Sequence, residues 1–177
     1  MRTLGAFVLA LGWVLPAAAD PLDLQEASRR LLRGNYAEAR EQFAALAKNG
    51  KYRVPAAIGL SRTWRSEGDY EKAQGALAAA LKDQPTSGDL WAELADLLYL
   101  LGRWDEAQQA AQKALQDGKG QFLAHWVLAR VHRDRGDLKK SSEELIWFVR
   151  AYSKEEPTDP EQLLLVGQEL RRLISSL

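Results

Sequence analysis

The sequence predicts an all-α solenoid, four stacked helix pairs followed by one further helix. Three observations predict it. Four glycines, Gly34, Gly68, Gly102 and Gly136, stand 34 residues apart, and each opens the same short phrase. A fixed period of that length marks a repeat architecture, in which each unit buries its apolar face against the next. The segments on either side of each glycine carry apolar residues at i, i+3, i+4 and i+7, the spacing of one helical face. Finally, 46% of the 177 residues are hydrophobic and 27% charged, which is enough apolar mass for a core.

The chain starts with Arg2, an uncharged run from Leu4 to Leu15, Pro16 and then Ala17-Ala18-Ala19. A basic start, an apolar run shorter than the ~20 residues of a membrane span, and small residues at a cut site form the secretory pattern. Residues 1–19 are therefore expected to be a signal peptide cut after Ala19. The mature chain would begin at Asp20, secreted or periplasmic, with no stable membrane insertion. An uncleaved anchor and an amphipathic first helix compete with this reading, but the run has no polar residue to give a helix its wet face.

Residues 20–152 are expected to hold four repeats, at about 20–53, 54–87, 88–121 and 122–155. After each glycine, a large residue follows at +2 (Tyr36, Tyr70, Trp104, Leu138) and a small one at +5 (Ala39, Ala73, Ala107, Ser141). An apolar residue comes four later (Phe43, Leu77, Ala111, Leu145). The glycine suits a turn with a left-handed backbone, which is cheap only without a Cβ. The small residue lets two helices approach, and the large one is expected to fill the space beside it. Before each glycine, the packing slots hold Ala57, Leu60, Ser61 and Trp64, then Trp91, Leu94, Ala95 and Leu98, then His125, Leu128, Ala129 and His132. Pro85 and Asp117-Gly118 end the second helices of repeats two and three.

The third copy, Trp91-x2-Leu94-Ala95-x2-Leu98-x3-Gly102-x-Trp104-x2-Ala107, resembles the tetratricopeptide repeat family. The resemblance covers residues 20 to about 152. It implies a right-handed α-solenoid of four tetratricopeptide helix pairs, and an interaction module in place of an enzyme. The first copy departs from the pattern at Asp23 and Glu26, as a terminal repeat with one wet side does. Beyond Tyr152 the register slips. Residues 158–177 are read as a final helix, begun by Asp159 and Pro160, with Leu163, Val166, Gly167, Leu170, Leu173, Ile174 and Leu177 on one face and Gln168, Glu169, Arg171 and Arg172 on the other. It is either a capping helix or the first helix of an incomplete fifth repeat. Residues 147–167 are also similar to the N-terminal part of large exported bacterial proteins in which such repeats precede a metallopeptidase-like domain. No His-Glu-x-x-His is present, so none of that chemistry carries over.

A second face of each first helix lies roughly 130° from the packing slots. In the tetratricopeptide family this face lines a concave groove. Here it reads Leu24, Ser28 and Leu31; Ile58, Arg62 and Arg65; Asp89, Ala92, Asp96 and Tyr99; Leu123, Trp126, Arg130 and Arg133. Arginine with aromatic residues is the composition of binding hot spots, and Arg grips a carboxylate with two bonds. The candidate partner-binding residues are therefore Arg62, Arg65, Asp96, Tyr99, Trp126, Arg130 and Arg133, and the expected partner is an acidic peptide or helix. The competing reading is that Arg62 and Arg65 only pair with Asp96 and Asp89 on the neighbouring helix, which implies nothing functional. The Lys and Asn set that some relatives use to clamp a carboxylate terminus is missing.

Other chemistry finds no residues. Lys+Arg and Asp+Glu are both 24, or 23 against 24 once Arg2 is removed, so the surplus of cations that phosphate neutralisation needs is absent and no nucleic acid is expected. There is no cysteine for a disulfide, a thiol nucleophile, a zinc finger or a lipid anchor. His125 and His132 lie seven apart, about 10.5 Å along a helix, too far to share a zinc ion. No phosphate loop or Gly-x-Ser-x-Gly occurs. No cofactor, metal or catalytic residue is expected. The readings in order are a stand-alone exported scaffold, a non-catalytic accessory domain of a larger exported protein, and an enzyme. For stability, Ala73→Leu or Ala107→Leu is expected to cost about 1–3 kcal/mol by overpacking, and Trp104→Ala about 3–5 kcal/mol.

Overall fold

The computed structural model of the chain describes residues 21–118, 121–152, 164, 167–169 and 171–172. The expected signal peptide and the Asp159-Pro160 helix start lie outside the described residues.

Eight α-helices follow one another: α1 (Pro21–Leu32), α2 (Tyr36–Leu46), α3 (Arg53–Ser66), α4 (Tyr70–Asp83), α5 (Gly88–Leu100), α6 (Trp104–Asp117), α7 (Gln121–Asp134) and α8 (Leu138–Tyr152). One turn of 3₁₀ helix, Gly50–Tyr52, leads into α3. Residues 164, 167–169, 171 and 172 are helical as well. Odd-numbered helices are the first members of each pair and even-numbered helices the second. Each helix packs mainly on its chain neighbours, and α1, α3, α5 and α7 also touch one another in series. No helix among the described residues is long and apolar enough to cross a membrane.

The four glycine turns are copies of one another. Gly34, Gly68, Gly102 and Gly136 have φ between 73° and 82°. The N–H after each glycine reaches back to the carbonyl five residues before, as Asn35 to Arg30, Asp69 to Trp64, Arg103 to Leu98 and Asp137 to His132, at 2.9–3.0 Å. That is the bond that closes a helix end through a left-handed residue. Asp69 and Asp137 then start their helices by accepting from the Lys72 and Lys140 backbone N–H groups, both at 3.1 Å. Gly118 ends α6 in the same left-handed conformation.

The positions after each turn form the core. Ala39, Ala73, Ala107 and Ser141 are fully buried, and so in effect are Phe43, Leu77, Ala111 and Leu145. Ser141 satisfies its hydroxyl by donating to the Ala129 carbonyl at 2.8 Å. Among the described glycines, the closest approach is at Gly59 on α3, where an added Cβ would lie 2.3 Å from the Phe43 ring. Trp91 ties down the third repeat by donating Nε1–H to the Pro85 carbonyl at 2.7 Å.

One expectation fails. The large residue two after the glycine is not buried inside the pair at Tyr70 and Trp104, whereas Leu138 packs against Ala129, Leu145 and Phe148. Trp104 is 37% exposed, Tyr70 is exposed too, and Tyr36 and Leu138 are half-buried. The order of costs is therefore reversed. Ala107→Leu should cost about 1–3 kcal/mol, and Trp104→Ala should fall well short of the ~3–5 kcal/mol of a buried tryptophan. Chemical denaturation of the two variants checks this, and a larger loss for Trp104→Ala would contradict it.

Candidate functional site

The first helices α3, α5 and α7 are joined to one another by charged side chains, and the candidate residues lie in these joints. Between α3 and α5, Arg62 Nε and Nη2 donate to both carboxylate oxygens of Glu93 at 2.9 and 2.7 Å. One turn further on, Arg65 Nη1 donates to Asp96 at 2.7 Å. Asp96 uses its other oxygen to accept from Arg130 of α7. The Arg130 guanidinium lies over the Tyr99 ring at 4.1 Å and near the Trp126 ring at 5.3 Å. Tyr99 donates to Asp134 at 2.6 Å and accepts from Arg133 Nη2 at 3.2 Å. Arg133 also donates Nε–H to Asp134 at 2.8 Å and Nη1–H to Glu169 of the terminal helix.

Six of the seven candidates, Arg65, Asp96, Tyr99, Trp126, Arg130 and Arg133, thus belong to one connected network, and Arg62 stands beside it with its own partner. The competing reading of simple pairing holds for Arg65 and Asp96. It fails for Arg62, whose partner is Glu93. Reading the sequence by faces missed Glu93, Asp134 and Glu169. The spacing carries a signal for the first of these: Arg62 to Glu93 and Arg65 to Asp96 are both 31 residues, one repeat less about one helical turn. Glu169 was assigned to the wet side of the final helix but is buried against Arg133. Ala92, expected along the groove, is buried in the core.

In three of these pairs the acid lies inside and the arginine outside, while Arg130 and Asp96 are buried to the same degree. The Glu93 side chain is 3% exposed and Arg62 48%; Glu169 is 8% exposed and Arg133 31%. Arg65 is likewise the more exposed partner of Asp96. Desolvation alone would raise the Asp134 carboxyl, but hydrogen bonds from Arg133 and Tyr99 outweigh it and hold it below its ordinary value. Desolvation would lower Arg133, and its bonds to Asp134 and Glu169 outweigh that and raise it. Burial, followed by the bond to Asp134, pushes the Tyr99 hydroxyl up. These directions leave Asp134 and Arg133 charged and Tyr99 neutral at neutral pH.

The two histidines are occupied elsewhere. His125 stacks on Trp147 with ring centroids 3.5 Å apart and shares a 2.5 Å hydrogen bond with Glu144, while His132 is buried. An open cleft of about 440 Å³ is lined by Val54, Pro55, Asp83, Pro85, Asp89 and Asp117, residues outside the network. Among the described residues, no group of three His, Cys, Asp or Glu could hold a metal ion.

Stacked helix pairs with one charged face along their first helices define an α-solenoid of the interaction type. Family profiles described as Tetratricopeptide repeat match residues 65–121 and 101–160, and the chain belongs to the tetratricopeptide repeat family. A tetratricopeptide repeat and J domain-containing co-chaperone, DNJ1 of Cryptococcus neoformans var. grubii, is 29% identical over 103 residues. That match takes in 58% of this chain but only 20% of the relative's length. Among solved structures, the thermophilic tetratricopeptide protein TTC0263 of Thermus thermophilus superposes with a TM-score of 0.66 at 19% identity, over 84% of this chain and 79% of that one. PilF of Pseudomonas aeruginosa superposes with a TM-score of 0.60 at 16% identity, over 85% and 65%. These likenesses speak to the fold. Tetratricopeptide domains bind proteins or peptides, and the fold is typically a non-catalytic scaffold.

The asymmetry of exposure has a measurable consequence. Arg62→Ala should cost roughly 3 kcal/mol, because it strands Glu93 away from water. Glu93→Gln should cost about 1 kcal/mol, because Arg62 keeps its solvent. Urea denaturation ranks the two, and the reverse order would contradict acids inside and arginines outside.

Proposed function

We propose that the chain is an exported protein–protein interaction scaffold that binds an acidic peptide or partner helix along the face of its first helices. One observation carries this reading. The acids and arginines of that face are paired, yet Arg62, Arg65 and Arg133 are each more exposed than the acids Glu93, Asp96 and Glu169 that hold them. An approaching partner therefore meets guanidinium edges first, with Tyr99 and Trp126 between them. The inner carboxylates fix the guanidinium planes in advance, so less side-chain entropy is lost when a partner's carboxylate arrives. Export is supported by Arg2, the uncharged Leu4–Leu15 run and Ala17-Ala18-Ala19. Mass measurement of the exported chain should place its first residue at Asp20.

A second reading is a non-catalytic accessory segment of a larger exported protein, peptidase-like proteins included. The co-chaperone match supports it, since there the matched segment is a small part of a much longer chain.

Charge reversal at Arg62 and Arg130 is a poor test, because each new carboxylate would face Glu93 or Asp96. Neutralising whole pairs avoids that conflict: Arg62→Gln with Glu93→Gln, and Arg65→Gln, Asp96→Asn and Arg130→Gln together. The probe is a fluorescent amphipathic helical peptide with four glutamates on one face, and its glutamine counterpart. The native chain should bind the glutamate peptide, more weakly as salt rises. The neutralised chain should keep its helicity and lose at least roughly tenfold in affinity. Equal binding of both peptides, or undiminished binding after neutralisation, would rule out this reading.

A further inference from the structure

The acids of the network differ in how they are held. Glu93, Asp96 and Asp134 belong to repeat helices, locked in place by the glycine turns and the 34-residue spacing. Glu169 does not. It lies 36 residues from Arg133, beyond the point where the register slips, on a helix outside the four pairs. Among the described residues of that helix, Leu164, Gly167, Gln168, Arg171 and Arg172 are exposed and only Glu169 is buried. Beside a 3.7 Å pair with Arg172 of its own helix, its carboxylate accepts from Arg133 Nη1, which is the contact an acidic partner would make.

Arg133 is also arranged to survive the loss of that contact. Its Nε is held by Asp134 at 2.8 Å and its Nη2 by Tyr99 at 3.2 Å. Removing Glu169 would free Nη1 alone and leave the guanidinium aimed as before.

From this we infer that the terminal helix is an internal competitor: Glu169 occupies the last cationic position of the binding face in place of a partner's carboxylate, and an acidic helix gains full access to Arg133 by displacing it. The inference rests on the reading of this face as an acid-binding surface. It makes the helix a latch on the site, in addition to a cover for the fourth repeat. The partner class follows from the occupant: a helix that presents a glutamate or aspartate at the α7 end of the face, within reach of Tyr99 and Trp126.

The test uses the whole chain and the four-glutamate helical peptide, with two readouts. In the native chain, adding the peptide should speed amide hydrogen exchange at residues 167–172 while α7 stays protected. This measurement needs no variant, so it decides the matter even where a substitution harms folding. In Glu169→Gln, peptide affinity should rise by roughly tenfold, the size of an ordinary coupling between competing sites. Exchange at 167–172 that is unchanged or slowed by bound peptide, with no gain in Glu169→Gln, would overturn the latch and leave a fixed cap. The binding face would still stand if the paired neutralisation abolished binding in that same series. Failure of both the native chain and Glu169→Gln to bind the peptide would remove the latch and the binding face together.

Discussion

Everything in this chain depends on how closely two helices can approach just after each glycine turn. Ala39, Ala73, Ala107 and Ser141 are fully buried there, and in a close-packed interior a larger side chain is expected to push the helices apart. The turn sets where that contact falls, because each glycine's left-handed φ and the bond closing across it fix the path from first to second helix. With this unit copied at a 34-residue interval, the first helices are laid side by side, and residues one repeat apart become neighbours. The links of the charged network between helices follow from that placement, and contacts within α7, Arg133 to Asp134 and Arg130 to Trp126, complete it.

The network then decides what the face presents. A row of arginines with no acids would repel itself, and a row of fully covered ion pairs would present nothing. Here Glu93, Asp96 and Glu169 lie beneath Arg62, Arg65 and Arg133, so the pairs neutralise the interior while their cationic edges stay in water. Asp96 serves two arginines from two different helices, Arg65 and Arg130, and couples the second, third and fourth repeats through one carboxylate. Changes of charge on this face are therefore read first as changes of stability, and only paired substitutions separate binding from folding.

Much of the fold was legible because its signals are local and repeated. The glycines, the small residues five later and the apolar residues four beyond them need only helical geometry and a period. Trp104 and Tyr70 misled because a repeat phrase records residue size and says little about exposure, and here both side chains are exposed. At the candidate site, the seven residues were found by face, but their partners were only partly found. Glu93 is set by the offset between neighbouring first helices, a property of the stacked solenoid that no single helix reveals. Glu169 lies outside the repeat register altogether, so a face assignment made from its own helix put it in solvent.

The most direct test of the central claim asks which helices a bound partner touches. A photoreactive amino acid placed at Ile58 of α3 or Leu123 of α7 reports on the first-helix face, and one at Lys113 of α6 or Lys139 of α8 reports on the second helices. With the glutamate-bearing helical peptide bound, the account predicts cross-links from positions 58 and 123 and none from 113 and 139. Cross-links confined to 113 and 139 would place binding on the second helices and contradict it.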